Sequence, residues 1–347
     1  MTEIPPSTIS SIKAQDKTFT KIQNLNLPYH LNFPLIAGSE MVFGLSRKFR
    51  GKYNNPEAYV NELIRASKEI DMRPKVVIIT GANSGIGLVT AKNLYKAGHH
   101  IILACRSESK AMSAKSEIES IQALGKVQFI PLDLSSLESV KEFCTEFKKL
   151  GLQLDILINN AGIMWVPHEL TKDNVESQMG VNFLSHFYLT DLLLDTMQKV
   201  NDIDIDQIKN PKVYNNGKNY SQSKLAMLLF SNYLNKILSD KGIIVYCVNP
   251  GLVQTNLYTN STLAKLVSKF GKFYMKDEIS GTFTTLRCAL LPPQKEHGQP
   301  NVYYSDENLF TPPKASGTES SIYLLIDWAN STLDDLKFDV NYLKYKF

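Results

Sequence analysis

Charge imbalance, cysteine and long apolar runs are all scarce in this chain. Its 38 Lys and Arg against 34 Asp and Glu leave a net charge of +4 with no basic block, so nucleic acid is not an expected partner. The four cysteines (Cys105, Cys144, Cys247, Cys288) are scattered without metal-ligand spacing, and no metal is expected. Cys105 and Cys247 sit in apolar runs that read as buried strands, where a thiol behaves as a small apolar group, and a reducing or cytosol-facing location follows. The amino end lacks the basic start and apolar core of a signal peptide, which argues against secretion. Residues 1–32 are polar and mixed, and poor order is expected there. Residues 33–45 (FPLIAGSEMVFGL) form the most apolar stretch before the main domain. Pro34, Gly38 and Glu40 interrupt it, and it is too short to span a bilayer. Docking on the protein body is preferred there to a dip into a membrane interface.

The chain is nevertheless long enough, at 347 residues with 43% hydrophobic, to bury a large core. Its organising stretch is VVIITGANSGIG at 76–87. An unbroken β-branched run reads as a strand buried on both faces, and it ends in Gly81, Asn83, Ser84, Gly85, Ile86 and Gly87, where a helical pattern begins. Glycines let a ligand approach the backbone closely, and the following helix offers unpaired N–H groups and a positive dipole end to a pyrophosphate. Upstream, residues 55–70 predict a helix capped by Asn55 with Pro56 in its first turn. Tyr59, Val60, Leu63, Ile64 and Ile70 make one apolar face, expected to pack on the core.

Downstream the pattern alternates strand and helix. Strands are predicted at 101–105, 127–132 and 154–158, and helices at 86–97, 110–124 and 136–150. Regular alternation of this kind predicts an α/β fold with a doubly wound parallel, Rossmann-like sheet and right-handed crossovers. Arg106 follows the second strand, nineteen residues after Gly87. An acidic residue there would bond the ribose hydroxyls of NAD, whereas an arginine fork suits a 2′-phosphate, so NADP(H) is expected over NAD(H). Asp133 closes the third strand, where the adenine of such a cofactor would lie.

TGANSGIG at 80–87, LACR at 103–106, the Asp133-Leu134 pair, NNAG at 159–162, Asn182, Tyr220, Lys224 and Pro250-Gly251 occur in one order that resembles the short-chain dehydrogenase/reductase superfamily over roughly residues 75–305. NNAGIM, the VNFLSHFYLTDLLLDTM helix and YSQSKLAMLLF are similar to its retinol dehydrogenase-like group. NPGLVQTNLY is most similar to the X-linked branch of that group. The resemblance implies that Asn160, Ala161 and Gly162 line the cofactor. It implies that Pro250, Gly251, Val253 and Thr255 close over the nicotinamide carboxamide, that Lys224 holds the nicotinamide ribose, and that Asn182 supports a proton-relay water. The group often has His where this chain has Asn249. Tyr220 and Lys224 lie four apart on a helical stretch and share one face. A free phenol, with a pKa of about 10, is a poor acid or base at neutral pH, and an adjacent ammonium favours its phenolate. Tyr220 is therefore the expected general acid/base for hydride chemistry on a small lipophilic alcohol or carbonyl.

One departure is large. Relatives carry a buried strand with a catalytic serine between the positions of Asn182 and Tyr220. Here a helix at 189–200 is followed by NDIDIDQIKNPKVYNNGKN, with no apolar strand and no paired serine, and Ser185, Ser221 and Ser223 are not evident replacements. The sheet is expected to lack that strand, which also admits a nucleotide-binding pseudoenzyme or an inactive variant. A skipped coding segment explains the gap more simply than selection does. A transcript carrying the strand would support that hypothesis, and unbroken genomic sequence through codons 200 and 201 would sink it. Further on, a strand is predicted at 242–248, lid helices at 261–276 and 277–291, a last strand at 302–304 and a helix with Trp328 at 320–333. The expected layout is an amino-terminal extension (1–74), a Rossmann-like domain with its lid (75–305) and a carboxyl-terminal helix and tail (306–347). A cytoplasmic location or the cytosolic face of an endomembrane is expected, with peripheral membrane contact and a homodimer both left open.

Overall fold

The computed structural model describes residues 55–71, 73–197, 216–238, 243–251, 253–255, 275–291, 319–341 and 343, and short strands between 295 and 309. The expectations for 1–32, 33–45, the 198–215 link and the first lid helix up to residue 274 lie outside these.

Helix α1 is Pro56–Ile70, α2 Gly85–Lys96, α3 Glu108–Glu119 and α4 Leu137–Lys149. A one-turn helix, Ser177–Met179, passes through a π-helix, Gly180–Leu184, into α5, Ser185–Met197. Then come α6 Asn216–Leu238, α7 Phe283–Leu290 and α8 Glu319–Asp335. Strands β1 Val76–Thr80, β2 His100–Cys105, β3 Lys126–Pro131 and β4 Ile156–Ile158 form one parallel sheet in the order β3-β2-β1-β4. In its register Ile78 faces Ile102 on one side and Leu157 on the other.

Alternate residues of these strands feed two cores. Ile78, Ile102, Ala104 and Ile130 pack with Phe147 of α4, Phe187 of α5, Phe230 of α6 and Trp328 of α8. Val77, Ile79, Ile101 and Leu103 pack on the opposite face with Leu63 of α1, Leu94 of α2, Ile118 of α3 and Phe283 of α7. Helices on both faces are why β1 and β2 read as buried, largely aliphatic runs. Helix α1 docks as expected. Asn55 accepts the Ala58 N–H, and Val60, Leu63 and Ile64 are buried, each worth about 1.5–3 kcal/mol of apolar burial. Ile70, expected on that face, is instead 58% exposed at the helix end.

Three other boundaries differ from expectation. Helix α3 stops at Glu119, because Gln122 turns the chain through a positive φ of 54°. Gly125 is demanded by a close approach instead of a helix end: a Cβ there would lie 2.6 Å from the Tyr95 carbonyl oxygen. The helix expected at 277–291 is a single turn, Glu278–Gly281, followed by α7. The strand expected at 242–248 shrinks to β5, Cys247–Asn249, and is only half-buried.

Strand β5 pairs in parallel with β6, Tyr303–Ser305, which pairs antiparallel with β7, Asn308–Leu309. Among the described residues no strand joins β4 to β5, and the sheet is in two pieces. All three residues of β4 are half-buried, where an interior strand would be covered on both edges. The segment in which the sequence lacks that strand, 198–215, lies outside the described residues. After α8, Asn341 and Leu343 are held by buried Asp191 of α5, whose carboxylate accepts their N–H groups at 2.8 and 2.7 Å. No described helix is long and apolar enough to cross a membrane.

Candidate active site

The glycine turn and the 159–162 loop leave the carboxyl ends of β1 and β4 side by side. Gly81 and Gly85 have φ of +66° and +56°, values that favour glycine. A Cβ on Gly87 would lie 2.5 Å from Asn160 Nδ2 and 2.6 Å from the Gly81 carbonyl oxygen, so the turn lies against the loop. The Thr80 hydroxyl oxygen accepts the N–H groups of Asn160 and Ala161, both at 2.9 Å, and Asn160 Nδ2 donates to the Thr80 carbonyl at 2.8 Å. Asn83 and Ile86 are half-buried, and the exposed Ser84 makes no side-chain cap bond at the start of α2. The amino end of α2 thus opens beside these glycines with its dipole and first amides directed at them.

Arg106 is exposed at the end of β2 and engages no described side chain. Asp133 is held by its neighbours. Burial would raise its pKa, but the Lys172 ammonium at 2.9 Å and two bonds from Ser135 outweigh that and keep the carboxyl below the ordinary range.

Asn182, in the π-helix, and Lys224, on α6, converge on Gly162. A Cβ there would stand 3.1 Å from Asn182 Oδ1 and 3.4 Å from Lys224 Nζ. The Asn182 side chain is fully engaged. Oδ1 accepts the Ile163 N–H at 2.8 Å, and Nδ2 donates to the Ile163 carbonyl at 2.9 Å and to Ser223 Oγ at 3.0 Å. Ser223 in turn donates to the Tyr220 carbonyl, and Ser185 to the Leu134 carbonyl, so both serines have structural partners. The side chain of Ser221 lies outside the described residues. Lys224 Nζ lies 5.6 Å from the centre of the Tyr220 ring and makes no hydrogen bond among the described residues. Burial lowers its pKa.

The 250–255 turn folds towards the same opening. Asn249 Oδ1 accepts the Gly251 N–H at 2.9 Å, and Gly251 has φ of +75°. The asparagine at the place of the expected histidine thus closes this turn. Buried Lys276 donates from Nζ to the Pro250 carbonyl at 2.8 Å, and its own carbonyl accepts the Gln254 N–H at 2.9 Å. Val253 is buried, and Thr255 comes within 3.6 Å of a Cβ built on Gly85.

Several residues here carry no local signal in the sequence. Met164, Trp165, Tyr220 and Met275 form a small apolar cluster. Trp165 takes a positive φ of 54°, a strained value for a bulky residue, and its N–H is held by Oε1 of fully buried Gln178 at 3.0 Å. The glycine cradle, the open amino end of α2 and the Lys224 ammonium facing Gly162 fit a nicotinamide dinucleotide.

The family model for short chain dehydrogenase matches residues 75–265. The chain is 35% identical to the chloroplastic short-chain dehydrogenase TIC 32 B of Brassica napus, over 85% of this chain and 99% of that one. That match runs over 321 positions, more than 85% of 347 residues supplies, so the relative has residues without a counterpart here. Human polyprenol dehydrogenase is 34% identical over 67% of this chain and 78% of its own length. Human retinol dehydrogenase 12 is 37% identical over 64% and 75%. Among solved structures, an uncharacterized protein from Mycobacterium paratuberculosis aligns with a TM-score of 0.54 at 30% identity, over 77% of this chain and 95% of that one. An alcohol dehydrogenase from Thermococcus sibiricus, complexed with 5-hydroxy-NADP, shares the fold at a TM-score of 0.50 and 22% identity, over 67% and 96%.

Proposed function

The chain belongs to the short chain dehydrogenase family, and from that premise we propose that it is an NADP(H)-dependent oxidoreductase interconverting a lipophilic alcohol and its aldehyde or ketone. The observation that carries the reading is the meeting of Lys224 and Asn182 at Gly162, with the Tyr220 ring 5.6 Å from Lys224 Nζ. Bound NADP(H) supplies or takes the hydride. Gly81, Gly85 and Gly87 and the start of α2 hold its diphosphate, and Arg106 favours the 2′-phosphate. Asp133 would face the adenine, Asn160, Ala161 and Gly162 would line the groove, and Pro250, Gly251, Val253 and Thr255 would cover the nicotinamide end.

Tyr220 gives a proton to the carbonyl oxygen in reduction and removes one from the alcohol in oxidation. The Lys224 ammonium favours the phenolate and holds the ribose. Asn182 supports a relay water through its main chain, since its side chain is committed to Ile163 and Ser223. The Met164, Trp165 and Met275 cluster beside Tyr220 supports an apolar substrate. So do the relatives named for retinol and polyprenol, and in the sequence the likeness to the X-linked branch. An apolar substrate also suits peripheral contact with the cytosolic face of an endomembrane.

The break between β4 and β5 favours a second reading, nucleotide binding without turnover. A strand missing there, as the sequence suggests, would take with it a preorganised donor to the substrate oxygen, a loss typically worth on the order of 10²–10³ in rate. Grafting a relative's strand between 200 and 215 separates the two. The oxidoreductase reading expects measurable NADPH-dependent reduction of a long-chain aldehyde before the graft and a gain after it. Activity only after the graft supports the second reading for this chain.

A further inference from the structure

Behind the cofactor groove, Thr80 and His186 extend a buried polar chain to the Asn182 carbonyl, and the proposed reaction assigns no step to either of them. The Thr80 hydroxyl accepts two N–H bonds, from Asn160 and Ala161, at 2.9 Å each. A hydroxyl has two lone pairs and one proton, so the proton is what remains to be placed. His186 Nε2 lies 3.0 Å away, and the Ile158 carbonyl, the competing acceptor, lies at 3.5 Å, the outer limit of a hydrogen bond. The proton therefore points to Nε2, which must be unprotonated. Nδ1, 3.1 Å from the Asn182 carbonyl, must then carry the ring proton, because a carbonyl can only accept. These four short contacts together allow one tautomer of a neutral ring. His186 is 1% exposed, so no water competes for either nitrogen.

We propose that His186 is a positioning residue, locked as the Nδ1-protonated tautomer, that ties the nucleotide loop to the Asn182 carbonyl of the π-helix. One hydroxyl then fixes both Asn160 and Ala161 and, through the imidazole, the segment carrying Asn182 and packed on Lys224. Carbonyls and amides of a π-turn are offset from regular helical pairing, and a side chain that captures one sets the bulge in place. Loss of the link lets the loop and the Asn182 segment move independently and misplaces the site. This role in catalysis rests on the oxidoreductase reading; the tautomer does not.

The test uses the full chain labelled with ¹⁵N-histidine, with long-range ¹H–¹⁵N correlation spectra at neutral pH and His186 assigned by the shift that Thr80→Ser produces. The expected signature is a protonated Nδ1 and a pyridine-like Nε2, the reverse of the tautomer that free imidazole side chains favour. Thr80→Val, which keeps the shape and removes the hydroxyl, is expected to release the tautomer and weaken NADPH binding. It is also expected to lower kcat about tenfold or more, with the aldehyde KM little changed. Thr80→Ser restores all of these. An Nε2-protonated His186, or a folded Thr80→Val protein with wild-type kcat and NADPH affinity, overturns the proposal. If wild-type protein binds NADPH without turnover, the oxidoreductase reading fails separately. The tautomer and the NADPH affinity of Thr80→Val against Thr80→Ser then decide the link.

Discussion

The side-chain amide of Asn182 pairs with both main-chain groups of Ile163, accepting its N–H at 2.8 Å and donating to its carbonyl at 2.9 Å. Asn182→Asp keeps the acceptor and loses the donor, leaving the Ile163 carbonyl and Ser223 Oγ without their partner beside a buried carboxylate. A destabilisation of about 2–4 kcal/mol is expected from urea unfolding, with weaker NADPH binding. An unchanged midpoint would contradict the pairing.

Gly87→Ala and Gly98→Ala separate crowding from backbone strain. At Gly87 a Cβ meets Asn160 Nδ2 and the Gly81 carbonyl oxygen, a fixed backbone atom, whereas at Gly98, with φ of +98°, nothing lies within 4 Å. Gly87→Ala should raise the NADPH Kd by about tenfold or more. Gly98→Ala should cost about 1–2 kcal/mol of stability with the Kd unchanged. Equal effects on Kd would remove the groove from that place.

Arg106 is exposed and engages no described side chain, so its removal should not disturb the fold. Arg106→Ala is expected to raise the KM for NADPH about tenfold to a hundredfold while leaving that for NADH within about twofold. Parallel changes for both cofactors would contradict a 2′-phosphate contact.

Two buried histidines set an acid limit on stability. Burial, with Lys224 adding to it, holds His186 at about 4 against the pull of the Asn182 carbonyl. Burial and then Lys75 hold His99 at about 4 as well. The unfolded chain takes up these protons first, near the ordinary value of about 6.5, so their contribution is intact above that pH and is lost as the pH falls towards 4. Unfolding at pH 5 should be easier than at pH 7.5 by on the order of 2 kcal/mol for each histidine. A flat profile between those values would contradict neutral burial of both rings.

Much of the site was legible in the sequence, and the physical reasons are specific. Val76–Thr80 sits between two helical layers, so every residue is apolar or small, and the glycines after it announce the turn. The expectation of a missing strand rests on sequence alone, because a buried parallel strand needs an aliphatic run and none lies between Met197 and Asn216. What escaped depends on distant partners. Gly125 reads as a helix stop but is small because the Tyr95 carbonyl lies against it. Lys276 reads as part of a lid helix, yet its ammonium holds the Pro250 carbonyl. The left-handed Trp165 is sustained by Gln178, and the pairing of Thr80 with His186 spans 106 residues.

The most direct measurement is NADPH oxidation with a long-chain aldehyde by wild-type and Tyr220→Phe proteins, with NADPH binding followed by fluorescence on both. The account predicts equal binding and a turnover lower by about 10²–10⁴ in Tyr220→Phe, because only the proton donor is lost. Equal turnover in the two proteins would contradict it, and Tyr220 would not be the acid/base.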